Sequence, residues 1–134
     1  MPLVRIDLRK GKPAAYARAI GEAVHRAMVE TIDVPVRDHF QVITEHDSDH
    51  LIYDRSYLGV ERSDSVVFVQ VVMSSGRDVA KKQSFYARIA ALLRENPGIA
   101  AEDVVITLVE NEREDWSFGK GEAQYVVLRR DQWK

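Results

Sequence analysis

Adding 65 to the residue number lays the first half of this 134-residue chain on the second without a gap. Val4 falls on Val69, Gly11 on Gly76, Ala15 on Ala80, Glu30 on Glu95, Asp38 on Asp103 and Glu45 on Glu110. More telling than the identities is the shared order: apolar stretch, glycine turn, helical periodicity, breaker, apolar stretch. That is the signature of an internal duplication. The chain is therefore expected to be a single domain, residues 1–134, built from repeats over about 2–46 and 67–111.

Each repeat reads as a β-α-β unit. In "LVRIDL", Leu3, Arg5 and Asp7 alternate with Val4, Ile6 and Leu8, the period of a half-buried strand. After the turn "RKGK", Pro13 suits a first helical position. Tyr16, Ile20, Ala23, Val24, Ala27 and Met28 then recur at helical spacing to about Thr31. Pro35 disfavours helix at Val34, and "HFQVIT" follows as a strand. In the second repeat, "VVFVQVVM" (66–73) is an unbroken apolar run, as expected of a strand covered on both faces. A helix from about Val79 to Glu95 ends at "NPG", and a strand starts at Asp103.

Right-handed crossovers would put both helices on one face of the sheet. The expectation is an α/β (α+β) fold with one mostly parallel four-stranded sheet. In addition, "LIYDRSYLGV" reads as a short hairpin between the repeats, and "QYVVLR" as a C-terminal strand. The bare face of the sheet needs cover, for which self-association is the simplest source.

Composition narrows the function. A net charge of -2 with no long Lys/Arg block gives no electrostatic footprint for nucleic acid. Neither a membrane span nor a secretory leader is legible, so the cytoplasm is the default expectation. The absence of cysteine removes disulfides, thiolate catalysis and Cys-type zinc sites.

The duplication is most informative where it fails. Pro2 matches Val67, which lies inside the chain and can never be a terminal amine. Removal of Met1, expected before so small a residue, would leave Pro2 with a free secondary amine beside a strand. Lys12 matches Arg77, each just after a matched glycine and before a helix, where a cation and backbone N–H groups form an anion-binding corner. Pseudo-twofold pairing of the repeats would bring Pro2 to the Arg77 corner and leave a vestigial counterpart near Val67 and Lys12.

"MPLVRIDL", "VPVRDHFQV", "SGRD" and "DWSFGKGEAQYV" together resemble the tautomerase superfamily, and within it the malonate semialdehyde decarboxylase branch, over essentially the whole chain. The resemblance implies two fused β-α-β units, a homotrimer and a catalytic amino-terminal proline at Pro2. It also implies a carboxylate at Asp38, an arginine at Arg77 and pocket aromatics at Trp116, Phe118 and Tyr125. Some members carry an Arg-Pro-Arg turn; this chain has "SSGRD" with Arg77 alone.

These residues permit two chemistries on a small oxo acid, neither needing a metal or organic cofactor. Neutral Pro2 is a base for keto–enol tautomerisation, for example of phenylpyruvate-like enols; protonated, it polarises a carbonyl for decarboxylation or hydration. Asp38 would favour the cation and orient water, Arg77 would grip a carboxylate, and the aromatics would exclude water. Structural readings stand beside these. Proline suits a strand start, Asp38 shares its position with Asp103 as a turn carboxylate would, Arg77 could be a solvated turn residue, and the aromatics could be core or subunit contacts. A binding module that keeps the fold without turnover is the rival from outside enzymes. "HDSDH" places His46 and His50 among aspartates, but in a loop with no third fixed ligand, and His25 reads as a satisfied boundary histidine.

Overall fold

Val4, Ile6 and Leu8 face one way along the first strand and are buried, while Arg5 points to solvent. The computed structural model describes residues 2–133. β1 (Pro2–Arg9) leads into α1 (Ala14–Thr31) and returns as β2 (Gln41–His46); β3 (Val67–Ser74), α2 (Val79–Glu95) and β4 (Val104–Asn111) repeat the path. β1 and β3 keep the 65-residue offset at both ends, and α1 and α2 keep it at their starts.

The sheet order is β2-β1-β3-β4. β1 pairs parallel with β2 and β3 with β4, while β1 and β3 run antiparallel, with Pro2 opposite Met73 and Leu8 opposite Val67. Two parallel crossover units thus meet back to back across one antiparallel seam. α1 and α2 cover one face, where Ile20, Val24, Met28, Phe85, Ile89 and Leu93 pack on Val4, Ile6, Val69 and Val71. This is the α+β sheet with helices on one side that the repeat predicts.

Local chemistry sets the boundaries. Pro13 is extended and caps α1 rather than opening it, whereas Asp78 caps α2 by accepting the Lys81 N–H at 2.9 Å. Gly11 and Gly76, the matched glycines, sit at φ +115° and +125°, a backbone that side chains resist.

Within one chain only one face of "VVFVQVVM" is covered: Val67, Val69, Val71 and Met73 are buried, but Gln70 is exposed and Phe68 and Val72 are half-buried, the face for which the sequence reading expects subunit contacts. Two expectations are corrected. "LIYDRSYLGV" is not a hairpin. Residues 47–65 run as turns, with 3-10 turns at Ser48–His50 and Tyr57–Gly59, held by Arg55 to Asp64 and by the Tyr53 hydroxyl donating to Ser63 O at 2.6 Å. "QYVVLR" is not a strand. Gln124–Val127 is a short helix, α3, because Gln124 accepts the Phe118 N–H and donates to Gly119 O, both at 2.8 Å, and curls the chain before it reaches a sheet edge. β-propensity yields to such context.

Candidate active site

The antiparallel seam decides which residues meet. With Pro2 opposite Met73, the β3–α2 turn carrying Arg77 lies just beyond the Pro2 end of β1. On its other side, β1 registers Val4 with Gln41, and Val4 N–H donates to Phe40 O at 3.0 Å. The turn that carries Asp38 and leads into Phe40 therefore lies toward the Pro2 end of β1. The proline and the carboxylate come from the first unit, and the guanidinium from the second.

Asp38, Arg77, Phe118 and Tyr125 line one cavity of about 750 Å³, together with Phe40, Arg113 and Trp133. Pro2 is buried next to this cavity rather than on its wall, and Met1, whose removal the sequence predicts, lies outside the described residues. Trp116 stands behind the wall, stacked on Phe118 at 5.7 Å and donating its indole N–H to Asn111 Oδ1 at 2.8 Å. Phe118 meets Tyr125 edge-on at 5.0 Å, and Tyr125 meets Trp133 at 4.6 Å.

Arg77 is held by backbone. Nε and Nη2 donate to Ile32 O at 3.2 and 3.0 Å, and Nη1 donates to Ser74 O at 3.1 Å. Each terminal nitrogen keeps a second N–H uncommitted to these carbonyls. Burial pushes the Asp38 carboxyl above its ordinary value, against the pull of nearby positive charge that includes Arg77. Burial, helped by the Asp38 charge and opposed by Arg113 and Arg77, pushes the Tyr125 phenol up to about 12.

The loop carrying Asp38 is clamped from α1. His25 Nε2 lies 2.8 Å from Val36 O, and its ring stacks on His39 at 4.0 Å, so both flanks of Asp38 are fixed. Asp103, the repeat partner of Asp38, has a different environment: only 4% exposed, it accepts Ser63 N–H and Ser63 Oγ–H, each at 2.6 Å. The corner matching Arg77 is a smaller cavity of about 200 Å³ at Lys12, Arg9 and Tyr16, where Asp64 pairs with Arg9 at 3.2 Å. In "HDSDH", His46 pairs with Asp7 at 2.6 Å, and Asp47 takes Lys10 at 2.5 Å with His50 3.9 Å away.

Arg37 and Phe40, which flank Asp38 inside "VPVRDHFQV", also reach the cavity, as do Arg113, Arg130 and Trp133, which lie outside every quoted motif. The one legible trace of Arg130 and Trp133 is the arginine and aromatic interleaving of "QYVVLRRDQW".

A two-unit sheet with a proline at the head of β1 and an arginine turn from the other unit defines the class. One family model of tautomerase enzymes matches residues 38–119 and another matches residues 2–61, and the chain belongs to the tautomerase superfamily. Within it the chain is malonate semialdehyde decarboxylase-like. A malonate semialdehyde decarboxylase inhibited by 3-bromopropiolate is 44% identical, with a TM-score of 0.87 over 92% of this chain and 94% of that one. A second malonate semialdehyde decarboxylase, for which decarboxylase and hydratase activities are described, is 34% identical with a TM-score of 0.88 over 92% and 95%. The probable tautomerase YrdN of Bacillus subtilis (strain 168) is 39% identical over 127 residues, 95% of this chain and 98% of that protein. YusQ, a probable tautomerase of the same organism, is 37% identical over 126 residues, 94% and 99%.

Proposed function

We propose that this superfamily enzyme acts on a small oxo acid through the Pro2 nitrogen, decarboxylating or hydrating it as its malonate semialdehyde decarboxylase relatives do. The observation that carries the reading is the seam that aligns Pro2 with Met73, bringing Asp38 and Arg77 from different units to the same end of β1.

In this reading Met1 is removed and Pro2 is a secondary amine, a group that ordinarily titrates near about 7.7–8.0. Asp38 holds it as the cation, while Arg77 fixes the substrate carboxylate with its uncommitted N–H groups. The Pro2 cation hydrogen-bonds the substrate carbonyl oxygen and takes up charge there as the C–C bond to the departing carboxylate breaks. Carbon dioxide leaves, and the resulting enolate collects a proton at carbon. The same polarised carbonyl accepts water in hydration, with Asp38 as the group that orients it. Phe118 and Tyr125 keep solvent from the charged transition state. No step calls on a metal or an organic cofactor.

A second reading is keto–enol tautomerisation by neutral Pro2, favoured by the two probable tautomerases among the relatives. NMR titration of the Pro2 nitrogen separates the two: a midpoint well above neutrality supports the acid, one below it the base. Release of carbon dioxide from a three-carbon oxo acid, lost in Pro2→Ala, tests the activity itself. Full activity in Pro2→Ala refutes both.

The chain is further proposed to work as a homotrimer, without nucleic-acid or membrane partners. The sheet face away from the helices leaves Val42 42% and Val109 44% exposed, apolar surface of the kind subunit contacts cover. Relatives of this fold include a fused 4-OT symmetric trimer. Sedimentation velocity giving a monomer would overturn that assembly. Among the described residues no helix is long and apolar enough to cross a membrane.

A further inference from the structure

The cavity is far more cationic than one carboxylate requires. Asp33 is taken by Lys81, which leaves Arg37, Arg77, Arg113 and Arg130 facing Asp38 alone. That is a local surplus of three positive charges in a chain whose net charge is -2. Among the described residues, no carboxylate lies within ion-pair distance of Arg37, Arg113 or Arg130. Crowded like charges repel, and a ligand that neutralises them gains what the empty site loses.

The surplus has a place. Arg113 and Arg130 both lie over the Trp133 ring, their guanidinium carbons 5.1 and 5.9 Å from its centroid. Trp133 packs against Tyr125, and Tyr125 against Phe118, so the pair stands at one end of a run of aromatic rings that lines the cavity. Arg77 lines the same cavity and is anchored at the end of β3. The cavity has the volume of sites that hold ligands far larger than a three-carbon acid, about 300–1,000 Å³.

We infer that the substrate is a dicarboxylic oxo acid, whose first carboxylate binds Arg77 beside the reacting carbonyl and whose distal carboxylate binds Arg113 and Arg130 on the Trp133 platform. This rests on the cavity being the site of the proposed reaction, and it restricts which oxo acids enter. A distal carboxylate meets two guanidiniums that have no other anionic partner among the described residues, and charge-assisted hydrogen bonds of this kind discriminate strongly. A monoacid of the same length leaves them unmatched.

The test is calorimetric binding to the full chain at low ionic strength, with 2-oxoglutarate and 2-oxoadipate against 2-oxopentanoate and 2-oxohexanoate. The diacid of at least one pair should bind about 10-fold or more tightly than its monoacid. In Arg113→Gln/Arg130→Gln that ratio should collapse toward one, while Arg113→Lys/Arg130→Lys, which keeps the charge, should retain most of it. Equal affinity within both pairs, or a preference that survives the glutamine variant, overturns the inference. Binding is read apart from turnover: a diacid preference in a protein whose Pro2→Ala variant is fully active would refute the proposed function and leave the subsite standing.

Discussion

Asp103→Ala should weaken the fold, and Asp38→Ala should not, although the two carboxylates occupy the same position of the repeat. Asp103 is 4% exposed and accepts two hydrogen bonds of 2.6 Å from Ser63, which tie the 47–65 segment to the start of β4. Hydrogen bonds to a charged acceptor are each worth about 1.5–3 kcal/mol. Losing both, with partial relief from no longer burying a carboxylate, comes to about 2–4 kcal/mol. Asp38 sits in a setting that already disfavours its ionised form, so its removal should change stability by no more than about 0.5 kcal/mol. Urea unfolding followed by tryptophan fluorescence, at one protein concentration and pH 7, reads both. With an m-value of about 2 kcal/mol/M, the Asp103→Ala midpoint should fall by about 1–2 M. Carbon dioxide release should show the reverse order, with Asp38→Ala impaired and folded Asp103→Ala active. Equal loss of stability in the two variants would refute the division of labour between the repeats.

Three further outcomes are expected. Because burial raises the folded Asp38 pKa above its unfolded value, ionising Asp38 opposes folding: the penalty is absent below the unfolded pKa and complete above the folded one. Asp38→Asn should therefore be more stable than the native protein at pH 7 but not at pH 3, and an unchanged difference across that range would contradict it. Tyr125 should ionise near about 12 in an ultraviolet difference titration against Tyr125→Phe, and a midpoint near the ordinary phenol value would show the ring to be solvated. His25→Ala removes the hydrogen bond to Val36 O and the stack on His39, and should lower kcat/KM by about 10-fold through a displaced Asp38. His25→Gln, which keeps a donor for Val36 O, should recover part of the loss; equal activities would release His25 from that role.

The helices and strands were legible because each buries a single stripe or face, and Ile20, Val24 and Met28 or Val4, Ile6 and Leu8 announce that face by spacing alone. The back-to-back joining of the units was legible only through the duplication, since an antiparallel β1–β3 seam follows from two like units related by a pseudo-twofold. Where neither period nor repeat applied, reading failed. Val126 and Val127 look like strand residues, yet they lie 62% and 63% exposed in a short helix that Gln124 ties to the preceding turn. Arg113, Arg130 and Trp133 escaped notice because their cavity is assembled from separate loops that no local pattern relates. His25 looked like a satisfied boundary residue; its contacts to Val36 and His39, eleven or more positions away, are tertiary.

The grip of Arg77 on Ile32 O joins the C-cap of one unit's helix to the turn that leads into the other's. The planar fork can grasp that carbonyl with two nitrogens and still offer charge outward; an ammonium, having one nitrogen, would have to choose. The matched corner differs: Lys12 rests over the Tyr16 ring and, among the described residues, joins no second element. The Arg77 clasp therefore ties the two ancestral copies together at the cavity and fixes the direction in which the guanidinium presents its charge to a bound acid.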